Sequence, residues 1–80
     1  MFLSLPAVKN PVVLKALGLP IKALRMERSL SQEELGLMSD VAEPTIQRLE
    51  TAKSGCSIDN IISISKSLGL TLKELFDFEV

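Results

Sequence analysis

SQEELGLMSDVAEPTIQRLE, residues 31–50, holds two short amphipathic segments with barely one turn of chain between them. The first opens with Ser31, followed three residues later by Glu34, the pair that closes a capping box at a helix N-terminus. Leu35 and either Met38 or Ser39 share one face of that helix, and Asp40 ends it. Asp accepts left-handed backbone better than most residues, so Asp40 suits a sharp turn, with Val41 as the apolar plug of the corner. A second helix, from Glu43 to about Thr51, turns Ile46 and Leu49 inward. At about 100° per residue, Pro44, Gln47, Arg48 and Thr51 then point outward. Helices joined this tightly cross steeply, the first bracing the second.

Outward from this pair, capping signals mark the remaining elements. Asn10 and Pro11 give a cap followed by proline at a first helical position, predicting a short leading helix to Leu17 that Gly18 and Pro20 interrupt. A new helix then runs from about Leu19 to Arg28, with Ile21, Leu24 and Arg25 facing inward. Lys53 to Cys56 form a loop. Ser57 caps a helix carrying Ile58, Ile61, Ile62, Ile64 and Leu68, which Gly69 closes. Thr71 and Glu74 repeat the capping box before a short helix that covers Leu72, Leu75 and Phe76. The pattern predicts an all-α protein with a five-helix core at residues 19–76, an N-terminal extension at 1–18 and a tail at 77–80.

Composition narrows the chemistry. Eighty residues make one small domain that buries only about 60% of its unfolded surface. One cysteine, Cys56, excludes a disulfide framework, reads as a small half-buried hydrophobe and suits a reducing, cytoplasmic setting. With no histidine there is no credible zinc site and no Ser/His or Cys/His nucleophile pair, so an enzyme is not expected, nor a metal, a cofactor or a small-molecule substrate. No run approaches the roughly 18 apolar residues of a membrane span, and the N-terminus lacks the basic start of a signal peptide. Mean hydropathy of +0.29 leans slightly apolar, as a partner surface would. Net charge of −1 runs against the basic excess common in nucleic-acid binders.

Ile21-x-x-Leu24-Arg25, Ser31-Gln32-Glu33-Glu34-Leu35, Val41, Thr45-Ile46, Leu49-Glu50, Ser57-Ile58, Leu68-Gly69 and Leu75-Phe76, in that order and spacing, resemble the phage-repressor-like (Xre, Cro-type) helix-turn-helix family over residues 19–76. The resemblance implies a lambda-repressor-like fold whose second short helix enters the major groove of DNA. It implies that Gln32 bonds a DNA phosphate. It also implies that Glu43, Pro44, Thr45, Gln47 and Arg48 meet base edges and phosphates, and that Arg25 and Glu50 form an internal salt bridge.

Departures from the family pattern are specific. Gly36 stands where alanine is usual and allows the closest helix approach; Asp40 replaces a small turn residue, and Ala42 replaces a Ser or Thr cap. Glu43 can accept from cytosine N4 but repels phosphates, and Pro44 offers only apolar contact. Thr51-Ala52 replaces Asn-Gly, leaving Lys53 and the loop amides as phosphate partners. Arg48 is the sole cation on the outward face, a base reader or else a solvated side chain. Leu37 and Met38 project where the family has charge, either as a partner surface or as isolated exposed apolar groups.

The expected function is sequence-specific DNA binding in transcriptional regulation, as a repressor and homodimer on a palindromic operator. An antitoxin or adaptor with a toxin or other protein partner is the alternative, favoured by Glu43, Pro44 and the acidic balance. Dimerisation is expected through the chain ends, where Phe2, Leu3, Phe76 and Phe78 lie in short apolar–polar alternations. Those ends pair across a twofold axis, plug apolar gaps, or stay disordered.

Overall fold

Asn10 and Pro11 start the first helix as their types dictate: the Asn10 carboxamide oxygen accepts from the amides of Val12 at 2.9 Å and Val13 at 3.2 Å. The computed structural model describes residues 7–79, and in it helix α1 runs unbroken over Pro11–Glu27. The short leading helix expected to stop before Gly18 is instead the first half of α1. Leu14, Leu17 and Ile21 recur on one buried stripe to either side of Pro20. An interior proline costs about 3 kcal/mol, whereas each fully buried Leu or Ile contributes about 1.5–3 kcal/mol, so the shared stripe outweighs the local break.

Four further helices follow: α2, Gln32–Ser39; α3, Glu43–Glu50; α4, Ile58–Ser67; and α5, Leu72–Leu75. Helix α1 packs on α3, while α2 lies against both α3 and α4. Ile21, Leu35, Ile46, Leu49, Ile61 and Ile64 make the centre of the core. On α2 the second inward residue is Ser39, not Met38; its hydroxyl donates to Ser67 Oγ at 2.9 Å and so ties α2 to α4. Gly69, at φ 74°, closes α4: its amide reaches Lys66 O at 3.1 Å and the Leu70 amide reaches Ser65 O at 2.8 Å. Of the three residues expected beneath α5, only Leu75 is buried; Leu72 and Phe76 stay 43% and 38% exposed.

Two strands complete the fold. Ala7–Val8, β1, pairs antiparallel with Cys56–Ser57, β2, in the register Ala7 to Ser57 and Val8 to Cys56. Cys56 is buried there, and loss of water pushes its thiol pKa up. Lys9 follows directly, its Cγ 3.0 Å from where a Cβ on Gly55 would stand. Among the described residues no helix is long and apolar enough to cross a membrane.

Candidate nucleic-acid interface

The capping box of α2 forms as its residue types require. The Glu34 amide donates to Ser31 Oγ at 2.9 Å, and the Ser31 amide donates to Glu34 Oε1 at 2.8 Å. That backbone donor, and then the Ser31 hydroxyl, hold the Glu34 carboxyl below the usual carboxylate range. Asp40 ends α2 in left-handed backbone, φ 56° and ψ 44°, and the Val41 amide turns back to Gly36 O at 2.9 Å. A Cβ on Gly36 would sit 2.6 Å from Val41 O, so the bare Cα lets the turn fold onto α2. Val41 fills the corner.

Helix α3 begins at Ala42 without a side-chain cap; Glu43, in its first turn, supplies negative charge to the N-terminus. Ile46, Leu49 and Glu50 are buried, while Glu43, Pro44, Gln47 and Arg48 are exposed and Thr45 is half-buried. The outward residues therefore form one solvent-facing surface. At the C-terminal end the chain turns through Ala52 at φ 55°, and the Lys53 amide returns to Arg48 O at 3.0 Å. Lys53 is exposed in the loop just beyond.

Glu50 fixes this end of α3. Its carboxylate accepts from Arg25 Nε at 2.6 Å and Nη2 at 3.0 Å, a two-pronged ion pair, and Arg25 Nη1 also donates to Leu30 O at 2.7 Å. The pair is withdrawn from water, with side-chain exposure of 12% for Arg25 and 1% for Glu50. A third donor joins it: Gln32 Nε2 reaches Glu50 Oε1 at 3.1 Å. Gln32 is thus half-buried at the start of α2, with one amide N–H committed to Glu50 within the protein. Neither the Gln32 bond nor the position of Lys9 was legible from residue type, because both depend on elements distant in sequence.

Leu37 and Met38 both face solvent, at 79% and 55% exposure. Of the residues expected at a dimer contact, Phe76 is exposed, and Phe78 is half-buried against the core with its ring centroid 5.9 Å from that of Phe76. Phe2 and Leu3 lie outside the described residues.

Known proteins resemble this chain in sequence and in fold. The helix-turn-helix family model matches residues 21–75. The chain is 37% identical over 62 residues to the control protein C.BamHI of Bacillus amyloliquefaciens, across 76% of each chain. Among solved structures it is similar to the restriction-modification controller protein C.AhdI from Aeromonas hydrophila, with a TM-score of 0.75 and 28% identity over 81% of this chain and 98% of that one. It is also similar to the P22 c2 repressor protein in complex with a synthetic operator, with a TM-score of 0.70 and 25% identity over 79% of this chain and 96% of that one.

Proposed function

The chain belongs to the helix-turn-helix family, and from that premise we propose that this DNA-binding transcriptional regulator acts as a homodimer controlling restriction-modification genes. It works in the cytoplasm on a palindromic operator, each α3 lying in the major groove of one half-site. The observation that carries this reading is the division of α3 into a locked inner face, Ile46, Leu49 and Glu50, and a continuous outer one, Glu43, Pro44, Gln47 and Arg48. A rigid helix with a free face is what reading base edges requires.

Roles follow from side-chain chemistry. Arg48 makes the two-pronged bond to guanine O6 and N7, Glu43 accepts from cytosine N4, and Pro44 packs on a thymine methyl. Thr45 and Gln47 add polar contacts. Gln32 and Lys53 bind phosphates on either side, Gln32 helped by the positive end of α2. Two copies join through the chain ends, where Leu72 and Phe76 leave apolar surface on α5. Half-sites then lie about one helical turn of DNA apart.

Enrichment of operators from a random duplex pool, followed by binding titrations, tests the reading. Arg48→Ala is expected to relax preference at one base position per half-site, a loss of about 1–3 kcal/mol of discrimination. A pool that enriches no sequence, or an Arg48→Ala protein with its preference intact, would overturn it.

A further inference from the structure

A net charge of −1 leaves a DNA-binding chain short of cations, and α3 with the loop behind it supplies two, Arg48 and Lys53. The strand pair brings a third. Pairing of Val8 with Cys56 sets Lys9 opposite Gly55, two residues beyond Lys53. A Cβ on Gly55 would stand 3.0 Å from both Lys9 Cγ and Val8 O, so the bare Cα lets the Lys9 stem lie close against the loop. Lys9 is itself exposed. Its stem covers the loop backbone while the ammonium remains in water, the usual posture of a long cationic side chain on a surface. The backbone at Lys9 is held from both sides: the strand pair ends at Val8, and Asn10 caps α1 immediately after.

We propose that Lys9 is a DNA-phosphate contact, forming with Lys53 one backbone-binding patch that the two-residue strand pair assembles beside the end of α3. The assignment rests on the DNA-binding reading above. Lys9 stands beside the loop rather than on the face of α3, and a lysine presents a compact point charge without the planar fork that reads guanine; both fit a phosphate and not a base edge. Pairing in β1 and β2 fixes the backbone at Lys9 opposite Gly55, two residues from Lys53, before DNA arrives, so less ordering is left to do on binding.

The test is the salt dependence of binding by the full chain, on an enriched operator and on scrambled duplex. Lys9→Gln is expected to make the plot of log affinity against log salt shallower by about 0.9 per protomer, or about 1.8 for a dimer. Between 50 and 200 mM salt the variant then loses about tenfold less affinity than the parent. Both duplexes should weaken by the same factor, leaving their ratio unchanged. Lys53→Gln should match this, whereas Lys66→Gln, at the far end of α4, removes the same charge and should leave the slope alone. A slope unchanged in Lys9→Gln but reduced in Lys53→Gln overturns the role of Lys9 and leaves the DNA-binding reading standing. Loss confined to the operator overturns the phosphate assignment in favour of base contact, and a parent protein that binds neither duplex overturns both proposals.

Discussion

The two ends of α3 are held by different physics. At the C-terminal end a buried carboxylate on Glu50 gathers three N–H donors from Arg25 and Gln32, and Gly18 lets α1 press so close that a Cβ there would lie 2.2 Å from Leu49 O. At the N-terminal end no side chain caps the helix; the turn is closed by backbone amides alone, those of Asp40 and Val41 returning to Gly36 O and Leu37 O, and by a buried Val41. The anchored end sets where the helix lies. The lightly held end carries the exposed Glu43 and Pro44, so the residues proposed to read bases there can change without disturbing the fold.

The sharpest way to break this comparison is Glu50→Ala, which leaves the Arg25 guanidinium poorly hydrated and without its carboxylate. A stability loss of about 3–5 kcal/mol is expected in urea unfolding. A loss below about 1 kcal/mol would mean that the C-terminal end is not the anchor. Gly18→Ala comes next: the helix-propensity gain of up to about 1 kcal/mol is outweighed by forcing a methyl onto a backbone carbonyl. A net loss of about 1–3 kcal/mol should appear as a lower urea midpoint; equal or greater stability would refute the close approach.

At the other end the expected sign reverses. Ala42 already has the extended backbone of a cap, φ −62° and ψ 140°, so Ala42→Ser should add about 1 kcal/mol by bonding an open first-turn amide. No gain in thermal or urea unfolding would show that the N-terminal end is tighter than its hydrogen bonds indicate. The smallest effect is a pH dependence. The Glu34 carboxyl is held below its ordinary pKa in the folded chain, so its contribution to stability is present above the unfolded value and is lost as pH falls through the folded one. Glu34→Gln keeps a side-chain acceptor at that position of the box while removing the titration, and should flatten the acid side of the stability curve slightly. Superimposable curves for the two proteins would rule this out.

Local chemistry made much of this legible in the sequence. Capping boxes at Ser31–Glu34 and Thr71–Glu74, the left-handed turn at Asp40 and the inward Ile46 and Leu49 each follow from residues within one or two turns of one another. What escaped depends on distant partners. Gly18 and Pro20 read locally as breakers, but a stripe of Leu14, Leu17 and Ile21 meeting α3 carries the helix through them. Two-residue strands have no periodicity to detect, so the placing of Lys9 beside Gly55 was invisible. The ion pair of Arg25 with Glu50 was implied by family resemblance alone, and the Gln32 amide that completes it was expected to face outward only.

The strand pair also gives the molecule a chemical clock. Cys56 is the one thiol of the chain and is buried in β2, where it pairs with Val8 of β1, its reactivity lowered further by a raised pKa. An alkylating reagent can reach it only when the structure around the strand pair opens, so the rate of labelling in the native state reports the open fraction. With closing faster than alkylation, that rate measures the free energy of fraying at the edge of the loop that carries Lys53. The same unmodified protein can then be timed with and without duplex DNA, and a slower clock when bound would show that DNA holds the strand pair closed, without a single substitution.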